Sequence, residues 1–183
     1  MRKILFFYLL LFYIGLNVYA DPGARFTELM SWAGRSERDL ISAGGEQVSE
    51  GEIPFIGNMK TYRILKEYGG YIFTLIDSRI TRVEFNNAYI ETRGGIPNHP
   101  GEGRIRYRTE NEFRTEAERF RHLAQSLNAR QTSNFSTSDG THSVNYQVNL
   151  EGIFDINLML ITYLENKEQR HFGYYQITIQ FMR

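Results

Sequence analysis

The sequence predicts an α+β fold in which helices pack on one face of an antiparallel sheet. One observation is an apolar periodicity of about 3.6 residues between 110 and 127, which is typical of an amphipathic helix. The other is an alternation of apolar and polar residues in two groups of short segments, within 60–85 and within 144–181. The expected order is a helix-loop-helix and a first meander, followed by a long helix and a second meander.

The first twenty residues have the pattern of a signal peptide. Arg2 and Lys3 form a positive amino-terminal region, residues 4–16 are apolar and uncharged, and residues 18–20 place small side chains at the −3 and −1 positions. We expect cleavage before Asp21 and a periplasmic or secreted protein. The alternative is an anchor that is kept, although the apolar run is short for a membrane span of about 20 residues. Since the chain has no cysteine, no lipid anchor on cysteine is expected.

Composition limits the classes of protein to which this chain can belong. The remaining 163 or so residues are enough for one domain or two small lobes with a buried core. Without Arg2 and Lys3, the chain keeps 19 basic against 21 acidic residues and contains no basic block, so nucleic acid is not an expected partner. No second long apolar run follows the signal region, and we expect no stable membrane insertion after cleavage.

The amino-terminal part predicts two short helices. Phe26 begins the first helix, which ends at Trp32 before the Ala33-Gly34 pair. Ser36 can cap the second helix through the amide of Asp39, and glycines at 44 and 45 end it. Extended segments are then expected at 60–65, 71–76, 79–85 and 88–92, with turns between them.

A region rich in glycine and proline, residues 94–108, is expected to link two lobes, 21–93 and 109–183. The long helix begins after a capping box formed by Thr109 and Glu112. Its buried stripe consists of Phe113, Ala117, Phe120, Ala124 and Leu127. Alternating segments at 144–150, 154–160 and 175–181 form the second meander. Whether the two lobes make one continuous domain is left open.

One segment resembles a known family. Residues 32–41 (WAGRSERDLI), the following Gly44-Gly45 pair and a later strand that carries Tyr62 resemble the SmpA/OmlA outer-membrane assembly lipoproteins and the β-lactamase inhibitor protein. Glu46 stands where that pattern usually has proline, and the lipid-bearing cysteine of the lipoproteins is missing. The resemblance covers about forty residues. It implies a helix-loop-helix on an antiparallel sheet and, more weakly, a role in binding another protein.

The same residues have structural tasks that do not depend on the resemblance. Trp32 is expected to fill the gap between the two helices and the sheet, and Gly34 to permit the sharp reversal between the helices. Ser36 caps the second helix, Leu40 faces the core, and Gly45 ends the helix. We therefore interpret these five residues as a structural motif.

The sequence contains no recognisable catalytic or metal-binding pattern. No metal-ligand spacing links the four histidines, which are His99, His122, His142 and His171. A cysteine nucleophile, a Gly-x-Ser-x-Gly turn and a phosphate-binding loop are missing from the sequence. Two carboxylate pairs, Glu50 with Glu52 and Glu110 with Glu112, lie in polar segments where solvation explains them. We expect a protein that is not an enzyme and has no cofactor or metal.

Tyrosines supply the candidate contact residues. Those on strands or at loop edges could present amphipathic rings to a partner, with packing in the core as the alternative. The candidates are Tyr62, Tyr68, Tyr71, Tyr89 and Tyr107. The expected function is an exported, non-catalytic envelope protein that binds another protein. The alternatives are an enzyme inhibitor or immunity-type protein that uses the 94–103 loop, and a small-ligand binder with a pocket in the carboxyl-terminal lobe. The oligomeric state is left open.

Overall fold

A single antiparallel sheet dominates the computed structural model, which describes residues 21–66, 69–87, 110–138, 140–150, 154–163 and 172–181. The helices of these ranges are α1 (Pro22–Met30), α2 (Glu37–Ser42) and α3 (Glu110–Ser126). The strands are β1 (Glu46–Ile53), β2 (Gly57–Lys66), β3 (Gly69–Ile76), β4 (Arg79–Asn86), β5 (Arg130–Ser136), β6 (Thr141–Leu150), β7 (Phe154–Tyr163) and β8 (Gly173–Phe181).

The strand order of the sheet is β1-β2-β3-β4-β8-β7-β6-β5, and every neighbouring pair is antiparallel. The predicted α+β class is therefore wrong. Of the described residues, 56% are strand and 26% helix, and α3 is the one long helix among them, which makes this a largely β fold. The two predicted meanders exist, and their edges pair with each other through β4 and β8. They form one continuous sheet, a point that the sequence had left open.

Two strands that the sequence did not predict account for part of this difference. β1 and β5 are the outer strands of the sheet, and all of their residues are exposed or only half-buried. A strand with no buried face carries no alternation of apolar and polar residues, so periodicity does not reveal it. The expected segment at 88–92 and the expected linker at 94–108 lie outside the described residues.

The core lies between one face of the sheet and the two longer helices. β3, β4, β7 and β8 direct large side chains to this face, among them Phe73, Phe85, Leu158 and Ile177, all fully buried. Pairings such as Phe85 with Ile177, across β4 and β8, make the apolar face continuous from the first group of strands to the second. Burial of apolar area on this scale is the main stabilising contribution to such a fold.

The predicted stripe of α3 is confirmed. Its buried residues include Phe113, Ala117, Phe120 and Ala124, which fall on one side of the helix, and Leu127 beyond its end is partly buried against the same core. Among the described residues, no helix is long and apolar enough to cross a membrane.

The two short helices begin and end at identifiable caps. α1 begins at Pro22, four residues before the predicted start, because the carboxylate of Asp21 accepts a hydrogen bond from the amide of Ala24 at 3.1 Å. In α2, the hydroxyl of Ser36 accepts from the amide of Asp39 at 3.4 Å, and the Asp39 carboxylate accepts from the Ser36 amide at 2.9 Å. This reciprocal capping box fixes the start of α2.

The remaining motif residues pack as follows. Trp32 is buried with its ring edge-on to Phe73, at a centroid distance of 4.8 Å. Gly34 has a φ of +74°, a conformation that favours glycine. Leu40 is fully buried, and a Cβ at Gly45 would lie 2.8 Å from the Leu40 carbonyl oxygen, so only glycine fits there.

Candidate functional site

Two of the tyrosines proposed as contact residues are part of the interior. Tyr62 is 3% exposed and Tyr71 is 2% exposed. The Tyr71 hydroxyl donates to Glu28 at 2.6 Å and accepts from Arg25 at 3.0 Å, which joins β3 to α1. These rings therefore have partners within the chain. Tyr68, Tyr89 and Tyr107 lie outside the described residues, and a contact role for them stays a prediction.

Tyr62 belongs to a polar cluster around Glu37, at the start of α2. The Glu37 carboxylate accepts hydrogen bonds from the Lys60 ammonium at 2.8 Å, the Tyr62 hydroxyl at 2.5 Å and the Ser78 hydroxyl at 2.8 Å. The hydrogen bond from Lys60, followed by that from Tyr62, lowers the pKa of Glu37 to about 2. Both oxygens of this carboxylate are already hydrogen-bonded, and they link α2 to β2 and to the β3–β4 turn. The role of Glu37 is therefore structural.

The other polar candidates form no site in the part of the chain that the structure describes. His142 contacts Asn134 at 2.7 Å, while His99 and His171 fall in ranges that are not described. In the described ranges, no three His, Asp or Glu side chains are grouped so that they could hold a metal ion. Each of the two carboxylate pairs lies at the surface. For example, Glu110 forms a 2.7 Å ion pair with Arg114 on the surface of α3.

Among the described residues, the most exposed large apolar side chain lies in the turn between β1 and β2. It is formed by residues 53–57, with the sequence IPFIG. The Ile56 amide donates to the Ile53 carbonyl at 3.0 Å, which closes a four-residue turn with Pro54 in its second position. Phe55 has a relative accessibility of 110%, and Ile56 is 44% exposed. The end of this hairpin therefore presents two apolar side chains to solvent.

Phe55 also has an unfavourable backbone conformation. Its φ is +66°, at the third position of the turn, where glycine or asparagine is preferred when φ is positive. For a bulky residue this conformation costs on the order of 1–3 kcal/mol. Full exposure of the ring means that burial does not offset this cost. Residues held in this way without a structural gain are often found at binding sites.

The base of the hairpin is attached to the neighbouring β3–β4 turn. The Asn58 amide donates to Asp77 Oδ1 at 3.2 Å, and the Asp77 amide donates to the Asn58 carbonyl at 3.0 Å. Gly57 has a φ of +119°, and a Cβ there would lie 2.5 Å from Asp77 Oδ1. These contacts hold the end of the hairpin in one orientation, so Phe55 is displayed from a fixed base.

The β1 side of the turn carries two exposed carboxylates, Glu50 and Glu52. Glu46 lies at the opposite end of β1, where it forms a 2.9 Å ion pair with Arg63 of β2. Hydrogen bonds from Asn58 and Gln47 lower the pKa of Glu50, and the hydrogen bond from Arg63 lowers the pKa of Glu46. These two carboxylates keep their negative charge at neutral pH.

Sequence reasoning missed Phe55 because β1 itself was not predicted. The available signal was a short apolar run with a proline, residues 53–56, inside a stretch that is otherwise polar. Such a run is equally compatible with a buried strand. The positive φ of Phe55, which distinguishes the two, cannot be read from the residue type because phenylalanine rarely adopts it.

No protein-family model, curated protein or solved structure gives a significant match to this chain. The resemblance of residues 32–62 to the assembly lipoproteins and the inhibitor protein therefore stays a prediction. The contacts of the motif residues are structural: Ser36 caps α2, and Trp32 and Leu40 pack in the core.

Proposed function

We propose that this chain is an exported, non-catalytic envelope protein that binds another protein by placing Phe55 in an apolar pocket of that partner. The observation that supports this most is a fully exposed phenylalanine held at positive φ on a hairpin with a fixed base. Aromatic side chains that fill a partner's pocket contribute disproportionately to interfaces. A preformed turn lowers the conformational entropy lost on binding.

The charges near the turn favour a protein partner over a lipid surface. An exposed phenylalanine and isoleucine could also enter a bilayer, but envelope membranes with anionic lipids would repel Glu50 and Glu52 beside the turn. A protein pocket with basic residues at its rim complements both the apolar tip and the acidic strand. We therefore assign the partner as a protein with an apolar pocket and a basic rim.

Export rests on the amino-terminal pattern of residues 1–20. The proposal places the mature protein in the periplasm or outside the cell, with Asp21 as its first residue. Intact-mass measurement of the chain recovered from the cell envelope tests this directly. A mass that begins at Asp21 supports export, and a mass that includes Met1 contradicts it.

Site-specific cross-linking in the source cells tests the binding role. A photoreactive phenylalanine analogue replaces Phe55 in one variant and Phe135 in the other. Phe135 is a matched control because it is also an exposed phenylalanine, 51% accessible, on the outer strand β5. We expect a discrete protein adduct at position 55 that does not form at position 135.

The cross-linked protein is then purified and titrated with the wild-type chain and with the Phe55→Asn and Phe135→Asn variants. A weakening of about 30-fold or more for Phe55→Asn alone, typical of a lost hot spot, supports the proposal. Equal adducts at both positions, or an unchanged affinity for Phe55→Asn, contradict it. Binding of the purified chain to anionic vesicles that is lost in Phe55→Asn assigns the turn to a membrane and also overturns the proposal.

A further inference from the structure

A cleft of about 860 Å³ lies beside the β3–β4 turn, at the end of the sheet that carries the β1–β2 turn. Its walls are the loop before α2, the β3–β4 hairpin and the end of β8. Arg35 and Arg79 supply positive charges, and Ile76, Ile80 and Phe181 supply the apolar surface. Clefts of several hundred Å³ that combine an apolar wall with a few polar groups are typical of small-ligand sites.

The two arginines are available to a ligand. Both side chains are exposed, and neither guanidinium takes part in an ion pair within the described part of the chain. The Arg35 guanidinium lies 4.9 Å from the centre of the Trp32 ring, in a cation–π contact that leaves its hydrogen-bond donors unused. A guanidinium with free donors is suited to binding an oxyanion.

The other polar groups that line the cleft already have partners. The Ser36 hydroxyl donates to Asp39 at 2.7 Å, and the Thr81 hydroxyl donates to the Thr74 carbonyl at 3.2 Å. The carboxylate of Asp77 accepts from the Asn58 amide, as described above. Among the side chains that line the cleft, the two guanidinium groups therefore have hydrogen-bond donors available for a ligand.

The backbone around the cleft is held in place from both sides. Ser36 and Arg79 form an antiparallel bridge, and the Glu37 amide donates to the Ser78 carbonyl at 3.3 Å. The loop before α2 is therefore attached to the β3–β4 hairpin. As a result, both arginines project from backbone whose position is fixed before a ligand arrives.

We propose that this cleft binds a small amphipathic oxyanion. A phosphate or carboxylate head contacts Arg35 and Arg79, and a short apolar body packs against Ile76, Ile80 and Phe181. This site is separate from the turn at Phe55, and its occupation does not depend on a protein partner. The lining residues come mainly from the first group of strands, so it is not the pocket expected in the carboxyl-terminal lobe.

Hexyl phosphate is a suitable probe because it carries both parts of the proposed ligand and has no absorbance that interferes with tryptophan. Broadening of its phosphorus NMR signal by the purified chain, residues 21–183, measures binding. Emission from Trp32, the one tryptophan of the chain, reports whether the ligand is near Arg35. Inorganic phosphate tests the head group alone, and hexanol tests the apolar body alone.

We expect hexyl phosphate to bind at least about tenfold more tightly than inorganic phosphate, and hexanol not to bind measurably. Arg35→Gln and Arg79→Gln should each weaken hexyl phosphate binding by about tenfold or more, since each removes a charge-assisted hydrogen bond. Arg38→Gln is the matched control, because Arg38 is exposed on α2 and does not line the cleft.

Several outcomes overturn the proposal. They are a hexyl phosphate signal that does not broaden, equal weakening in Arg38→Gln and the two cleft variants, and an unchanged affinity in both cleft variants. If inorganic phosphate and hexyl phosphate bind with equal affinity, the apolar residues of the cleft do not contribute to binding. This result would also contradict the proposal. Phe55→Asn should keep wild-type affinity for hexyl phosphate, so failure here is distinguishable from failure of the protein-binding role.

Discussion

Phe55 is completely exposed and has a positive φ of +66°, a conformation that is rare for a bulky residue. Either property alone has ordinary explanations, since single exposed apolar residues are common on protein surfaces. Together they mean that the fold gains nothing from this side chain and is less stable because of its backbone. A role outside the folded chain accounts for both.

This reasoning predicts that Phe55→Asn stabilises the protein. Asparagine tolerates positive φ, so the substitution should raise the free energy of unfolding by about 0.5–1 kcal/mol. Urea denaturation of the two chains measures the difference. Phe135→Asn, the control on β5, should not stabilise, because asparagine is disfavoured in strands. A lower stability for Phe55→Asn would show that the ring serves the fold.

Glu37 is the residue that makes the stability of the fold depend on pH. Its pKa is lowered to about 2 in the folded protein by its hydrogen bonds to Lys60 and Tyr62, from a usual value of 4.5. A carboxyl with a depressed folded pKa stabilises the protein above its unfolded pKa, and this stabilisation is lost as the pH falls from 4.5 towards 2.

We predict that Glu37→Gln lowers the free energy of unfolding by about 1–3 kcal/mol at pH 7, because charged hydrogen bonds are replaced by weaker ones. The difference between variant and wild type should shrink as the pH falls towards 2. Urea denaturation at several pH values measures it. Glu110→Gln, which removes an exposed ion pair with Arg114, is the control and should change stability little at any pH. A stability difference between Glu37→Gln and wild type that stays constant as the pH falls would contradict the lowered pKa of Glu37.

At the scale of elements, the sequence reveals those strands that have one buried face. Alternation predicted parts of β4, β6, β7 and β8, and turn signals marked the extended segments in β2 and β3. The spacing of Phe113 and Phe120 predicted α3. Alternation could not reveal β1 and β5, whose residues meet solvent on both sides. The pairing of β4 with β8 could not be predicted from the sequence either, because a contact between strands separated by about ninety residues has no local sequence signal.

The β1–β2 hairpin should depend on Gly57 much more than on Gly51. Gly57 has positive φ, and a Cβ there would meet the carboxylate of Asp77, whereas a Cβ at Gly51 would have no atom within 4 Å. We predict that Gly57→Ala destabilises the protein by about 1–3 kcal/mol. Gly51→Ala should be neutral or slightly stabilising. Thermal unfolding of the two variants measures this, and equal effects would refute the attachment of the hairpin to the β3–β4 turn.

At the scale of the whole molecule, the pairing of β4 with β8 joins two groups of four strands into one sheet with one apolar face. Phe85 packs against Tyr175 at a centroid distance of 5.8 Å, and Phe120 of α3 packs against the same tyrosine at 5.2 Å. Because these contacts cross between the two groups, loss of packing in one group should weaken the other.

We predict that Ile177→Ala lowers the stability of both groups of strands together by about 2–4 kcal/mol, the usual cost of a cavity in a core. Ile177 is fully buried on β8, while Trp32 reports on the amino-terminal group. The urea transitions followed by Trp32 emission and by circular dichroism should shift equally. Gln180→Ala, on the exposed part of β8, is the control. A Trp32 transition that remains at the wild-type midpoint would show that the groups unfold independently.

The most direct test of the proposed function is the dissociation constant of the complex between the cross-linked partner and the Phe55→Asn variant. The proposal predicts a constant at least about 30-fold higher than that of the wild-type chain, even though the variant itself is at least as stable. A dissociation constant equal to that of the wild-type chain would contradict the claim that Phe55 binds another protein.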